Sequence, residues 1–386
     1  MKKIVLFMAI LLSTAVISQA NGTTLTDSTL QEGIKKYKEG NFIGAISIYD
    51  QLIAENSRYT EAYLERAKCR IAIEDHEGAI DDLDKALENE SSDYDAYFMR
   101  GQSKAHTGDH KGAIEDFSHA IKYNPKFHEA YVQRAHEKFL MSDYAGAIKD
   151  YSTAIKQNPP NQNNFELYHK RGLARNEYGK FKEAIDDFSK AIELYPKYNY
   201  AYFYRGFAKN HIGDFKGAID DFTKVISLDP NDKNSYFNRA WSKRELKDFK
   251  GAIADYTKNI EIDPKDEEAY YQRAIVKFLA GEKEDAKKDY ALAIELFPDN
   301  KMSYMHRGLF LLEVGDFKEA IEDFSKVIEL SKNDKEAYYY RGIAKSSSKD
   351  NEGACLDMRK AEQLGEQRAS DEIRRVCKRA TPNLLK

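Results

Sequence analysis

One small residue sets a period along this chain. Ala45, Ala79, Ala113, Ala147, Ala184, Ala218, Ala252, Ala286, Ala320 and Ala354 follow one another at 34-residue steps, apart from a single step of 37 between Ala147 and Ala184. A unit this short cannot bury its own apolar face, so neighbouring copies must stack and share one core. Ten such copies leave no room for a conventional globular enzyme domain. They predict an elongated stack whose natural output is a long binding surface.

Other residue types recur at fixed distances from each alanine. Tyrosine stands sixteen residues earlier in nine copies, at Tyr63, Tyr97, Tyr131, Tyr168, Tyr202, Tyr236, Tyr270, Tyr304 and Tyr338. Twelve before the alanine there is only Gly or Ala, as at Gly101, Ala135, Gly206 and Gly342, and four after it there is a large side chain, usually Phe or Tyr. This spacing predicts a large group packed into a small one. Apolar positions recur at three- and four-residue intervals on both sides of a break such as Gly108-Asp109, Gly213-Asp214 or Gly315-Asp316, which implies two amphipathic helices per copy. Six of the eight prolines, Pro125, Pro159, Pro196, Pro230, Pro264 and Pro298, lie twelve after the alanine, where they stop the second helix.

Phased in this order, the aromatic, the Gly/Ala, the Ala, the second aromatic and the terminal Pro resemble the tetratricopeptide repeat over residues 26–368. The resemblance implies an all-α fold, a right-handed superhelical α-solenoid of about ten helix-turn-helix units, closed by a C-terminal capping helix. The expected organisation is a signal peptide over 1–20, the repeats over 21–368, and a capping helix with a tail over 369–386. The three extra residues fall in the 158–164 linker, which is rich in Pro and Asn, so a bend between the fourth and fifth copies is one expectation and an unbroken core under a bulged loop is the other. The chain departs from the family pattern on the first helix, where an apolar position is Arg and a Tyr position is mostly Lys.

That Arg stands thirteen before the alanine in nine copies, and an Asp stands three after it in the same nine. The pairs include Arg205 with Asp221, Arg239 with Asp255, and Arg273 with Asp289. The first copy lacks both, having Glu32 and Ile48. Antiparallel packing across the turn brings each Arg level with its own Asp, which predicts a structural ion pair repeated along the stack, since a guanidinium fork suits a carboxylate.

The N-terminus carries Lys2 and Lys3, an apolar run from Ile4 to Ile17, and Ser18-Gln19-Ala20, the pattern of a cleaved bacterial-type export signal. The run is too short for a stable membrane anchor and no lipid-attachment cysteine follows it, so a periplasmic or extracellular protein is expected. Losing the two lysines takes the formal charge from −4 to −6 (−4 minus 2), a mildly acidic balance that offers nothing to nucleic acid or anionic lipid. In an oxidising compartment Cys355 and Cys377, ten before and twelve after the helix-ending Gly365, meet across a hairpin and predict a disulfide, whereas Cys69 reads as core packing.

The resemblance places ligand-facing positions about fifteen, eleven and eight or seven before each alanine. In copies six to nine these hold an apolar, aromatic strip that includes Phe203, Phe207, Phe237, Trp241, Tyr271, Ile275, Phe278, Met305, Leu309 and Leu312. Its polar edge has Asn176, Asn210, Arg244 and Glu245, with Gln102, His136 and His169 contributed by copies three to five. The expected partner is a protein or peptide segment, because contiguous aromatic patches mark interaction sites. Aromatic stacking on sugars is the alternative, which would make this a glycan-binding module of the envelope. Five histidines, His106, His110, His119, His128 and His136, cluster in copies three and four, but no HExxH, CxxC or phosphate loop accompanies them. No catalytic residue, metal or cofactor is expected.

Overall fold

The computed structural model of the chain describes residues 28–157 and 164–380. The export signal expected over 1–20 and the linker residues 158–163 therefore lie outside the described residues. Every regular element among the described residues is helical, and the helices alternate as first and second members of hairpins. The first four copies are α1 (28–38) and α2 (Phe42–Glu55), α3 (Thr60–Ala72) and α4 (His76–Asn89), α5 (Tyr94–His106) and α6 (His110–Tyr123), and α7 (His128–Leu140) and α8 (Tyr144–Gln157). Copies five to seven are α9 (Phe165–Glu177) and α10 (Phe181–Leu194), α11 (Asn199–His211) and α12 (Phe215–Leu228), and α13 (Lys233–Glu245) and α14 (Phe249–Ile262). The last three are α15 (Glu267–Leu279) and α16 (Lys283–Leu296), α17 (Lys301–Val314) and α18 (Phe317–Leu330), and α19 (Lys335–Ser347) and α20 (Asn351–Gln363), followed by α21 (Ala369–Ala380).

The chain divides into two compact units, Met1–Ala201 and Tyr202–Lys386, with the division inside α11. Within the first unit α8 packs on α9, so the hairpins flanking the 158–164 linker are in contact. Within the second unit each helix from α12 onward packs on the next, as far as α20 and α21.

Each hairpin turn reverses at one residue in the left-handed region, five before the periodic alanine. Glycine fills it in six copies, as at Gly108 and Gly213, while Glu74, Ser142, Lys247 and Lys349 take the same conformation in the others. The next residue is the N-cap of the second helix, and Asp75, Asp109, Asp214, Asp248 and Asp350 each accept there from the backbone N–H three residues on, whereas Asp316 makes no such bond.

All ten periodic alanines are fully buried. The large side chain four residues later is buried as well, at Tyr49, Leu83, Phe117, Tyr151, Phe188, Phe222, Tyr256, Tyr290, Phe324 and Met358. The Gly/Ala of the first helix is small because this ring lies against it: a methyl group added at Gly172 would stand 2.6 Å from the Phe188 ring, and at Gly308 2.8 Å from Phe324.

At the C-terminal end α21 buries Ala369 and Val376 and half-buries Ile373. Cys355 of α20 and Cys377 of α21 form a disulfide across a Cα–Cα distance of 5.1 Å, while Cys69 is a buried free thiol. A bond closing 22 residues contributes about 3 kcal/mol through the unfolded chain. Reductant is therefore expected to raise amide hydrogen exchange in α21 and leave α3 to α10 unchanged. Equal protection of α21 with and without reductant would show that the bond holds nothing in place.

Candidate binding surface

The nine Arg–Asp positions are bidentate pairs. Each Arg directs Nε and Nη2 at the two carboxylate oxygens of its own Asp, as in Arg205 with Asp221 (2.9 and 2.6 Å), Arg239 with Asp255 (2.8 and 2.7 Å) and Arg273 with Asp289 (2.8 and 2.8 Å). The aspartates are buried and the arginines half-buried. Two further contacts complete the bracket. The Lys or Arg that replaces the family's Tyr, one turn after the paired Arg, adds a second cation, as in Lys209 with Asp221, Lys243 with Asp255 and Lys277 with Asp289 at 2.7–2.8 Å. Nη1 then reaches the second helix of the preceding copy, where it meets Asp50, Asp84, Ser118, Ser152, Thr223, Thr257 or Ser325. One guanidinium thus ties its own hairpin and fastens it to the one before. Burial outweighs the arginine at Asp82, Asp187 and Asp323, whose carboxyls are held above the ordinary value, so the pairs cost desolvation that only complete partnering offsets.

The expected strip lies on the first helices of the second unit and is partly spent on packing. Phe203 and Phe237, fifteen before their alanines, lie against the core rings of their own copies, Phe222 at 5.7 Å and Tyr256 at 5.3 Å. Tyr271 stacks on His306 of the next copy with centroids 4.5 Å apart, and burial pushes its hydroxyl up to about 12. Phe278 stands edge-on to Phe310. Trp241 meets Phe215 at 5.6 Å and carries the Arg244 guanidinium 5.8 Å from its ring. Phe207 lies against His211 at 4.7 Å. These six rings nonetheless stay only half-buried. Leu309 packs half-buried on the cluster of α15 to α19.

Three expectations for this surface need correction. Met305 is buried, 7 % exposed, inside the core cluster that includes Phe310 and Leu311, and offers no face to a ligand. Asn176 and Asn210 are buried rather than on a polar edge, and Asn210 accepts from the Ser242 hydroxyl of the next copy at 2.8 Å. The reason is geometric: the position eight before the alanine faces the neighbouring first helix, so a short side chain there is enclosed and a long one such as Arg244 escapes. His169 is also buried, against Phe188 at 5.6 Å and Tyr198 at 5.1 Å, and burial, with a smaller push from Lys170, pulls its pKa down to about 4. His169 occupies the place of Phe203 and Phe237, a core-facing place that the family's ligand positions conceal.

Among the described residues no group of three or more His, Cys, Asp or Glu is placed to hold a metal ion, and no helix is long and apolar enough to cross a membrane. Three of the five histidines of copies three and four have partners: His106 stacks on His76 of the second copy at 4.4 Å, His119 stacks on Tyr97 at 4.8 Å, and His110 bonds Glu137.

Profiles described as tetratricopeptide repeat match residues 30–93, 71–126, 165–198, 200–232, 234–266 and 271–335. The chain is a tetratricopeptide-repeat protein. Among solved structures, a tetratricopeptide-repeat protein from Parabacteroides merdae ATCC 43184 is similar at 22 % identity, with a TM-score of 0.52 over 66 % of this chain and 98 % of that one. The C-terminal part of a tetratricopeptide-repeat protein from Cytophaga hutchinsonii is similar at 18 % identity, with a TM-score of 0.54 over 62 % of this chain and 97 % of that one. At these identities the likeness is one of fold. A comparison with curated protein sequences gives no match. The departures that mark this tetratricopeptide-repeat protein are its own: an Arg–Asp–Lys bracket in place of apolar packing, and first helices that are aromatic in the second unit and rich in His and Gln in copies three and four.

Proposed function

We propose that this tetratricopeptide-repeat protein is a non-catalytic scaffold that binds a peptide or protein segment on the first helices of its second unit, in cell-envelope assembly or secretion. The observation that carries the reading is the row from Phe203 and Phe207 through Phe237 and Trp241 to Tyr271 and Phe278, rings held by packing and only partly buried. Rings fixed in this way lose little entropy on binding, the property that makes aromatic anchors dominate interfaces. Export is supported by the charged, apolar and small-residue order of positions 1–20 and by a disulfide, which persists in oxidising compartments.

Capture from envelope extracts with the wild-type chain and a Phe237→Ala/Trp241→Ala chain tests this. Anchor rings of this kind each contribute about 2 kcal/mol or more, so each ring removed should weaken binding of the captured protein by at least about 30-fold. Capture that survives the double substitution would move the site elsewhere. Retention of the wild-type chain on envelope polysaccharide, lost in the variant, would favour the glycan reading.

A further inference from the structure

The ten copies can be compared with one another, and one buried position breaks its own rule. Ten before the alanine the side chain is buried in every copy from the second onward and is small or apolar, as at Ser103, Ala174, Ala208 and Ser242, except in the fourth copy, where it is Glu137. Glu137 is 4 % exposed. Every repeated buried Asp has an Arg aimed at both oxygens, and eight of the nine have a second cation. Glu137 has a single hydrogen-bond partner among the described residues, Nδ1 of His110 at 2.7 Å. His110 stands where Phe181, Phe215, Phe249 and Phe317 stand in later copies and where the second copy carries His76.

Glu137 and His110 meet at a pocket of about 260 Å³ between α5, α6 and α7 in the first unit. The buried Phe117 ring gives it an apolar floor, and Leu140 stands exposed at its edge. Its rim carries Gln102, Gln133, His106 and His136, the first two with amide oxygens free to accept. His106 is held by its Nδ1, 2.8 Å from the Gln102 carbonyl. The volume lies below that of pockets for drug-sized ligands and suits one long side chain. An apolar floor, a carboxylate without a fixed cation and several neutral acceptors match an aliphatic stem ending in a positive head.

We infer that the α5–α6–α7 pocket receives a single lysine or arginine side chain of a bound peptide, with Glu137 as its counter-charge. The inference takes from the proposed function only that the cation is presented by a peptide; the pocket belongs to the first unit and is read apart from the aromatic row. The test uses the full chain with imidazole-¹⁵N-labelled histidine, titrated with N-acetyl-arginine amide and N-acetyl-lysine amide, and with N-acetyl-leucine amide as the uncharged control. A saturable shift of the His110 and His136 signals is expected with a basic amide, at least tenfold weaker in Glu137→Gln and in Glu137→Ala. Alanine is what the fifth and sixth copies carry at this place, so the second variant keeps the test open if the first does not fold. No saturable shift with either basic amide, an equal response to the leucine amide, or titrations unchanged in both variants would overturn the inference. Because the probes are single amino acids, those outcomes leave the Phe237/Trp241 capture result to stand or fall by itself.

Discussion

An Arg307→Ala chain is expected to lose about 3–5 kcal/mol of local stability, the largest effect of any single arginine in the ladder. Arg307 holds Asp323 through Nε at 2.8 Å and Nη2 at 2.7 Å, as its counterparts do. The two supporting places are vacated in this copy. Leu311 stands where Lys243 or Lys277 adds a second cation, and Ala291 stands where Thr223 or Thr257 meets Nη1. Removing the guanidinium therefore leaves Asp323, 4 % exposed, with no cation, whereas Arg239→Ala would leave Lys243 2.7 Å from Asp255. Because a repeat array is a sum of neighbour terms, the effect should be read locally, as loss of hydrogen-exchange protection in α17 and α18 against the same measurement in α13 and α14 of Arg239→Ala. Replacing both partners, in Arg307→Leu/Asp323→Leu, should restore most of the loss, since two apolar groups remove the unpaired charge together. The first copy already does without the pair, with Ile48 at the Asp position. Equal losses in Arg307→Ala and Arg239→Ala would show that the second cation contributes nothing.

His169→Phe is expected to flatten the acid side of the stability profile. In the folded chain burial holds this imidazole near 4, against 6.5 for an ordinary histidine. As pH falls through 6.5 the unfolded chain takes up a proton and the folded chain does not, so stability falls with pH until the folded group titrates near 4. The stabilisation is fully present above the unfolded value and gone below the folded one, and amounts to about 3 kcal/mol over that window. Phenylalanine is the residue that copies three, six and seven place at this position, at Phe98, Phe203 and Phe237, so the ring space is one the hairpin accepts. Urea unfolding of both chains at pH 7.5 and pH 4.5 isolates the histidine from the carboxylates that titrate in parallel. Profiles that stay parallel would mean that His169 is wet in the folded chain.

Much of this molecule is legible without coordinates because its contacts are local and repeated. An alanine every 34 residues, a large group four later and a small one twelve earlier describe one hairpin, and a hairpin closes on itself. The Arg–Asp pairing was readable for the same reason, since both partners sit level across one turn and vanish together in the first copy. The same holds for Cys355 and Cys377, which flank a single helix-ending glycine. Contacts between copies were harder to see. The second cation had a signal, the Lys at the family's Tyr position, and so did the Ser or Thr five after the alanine in six copies, but nothing within one copy shows that these side chains converge on one guanidinium.

The row of ligand-facing positions shows the limit most sharply. Periodicity assigns Met305, His169 and Asn210 to the same helical stripe as Trp241, but depth is not a property of periodicity. Whether a side chain on that face is covered depends on how closely the neighbouring first helix approaches and on the length of what it carries. Hence Met305 and Asn210 are enclosed while Trp241 and Arg244 stay half-buried. The amino-acid order by itself determined the unit, its two helices, its ion pair and its number of copies, because those follow from spacing along one short segment. Only the tertiary structure decided which positions are buried at the seams between copies and brought Glu137 and His110 together across 27 residues, because those distances are set by how one hairpin settles on the next.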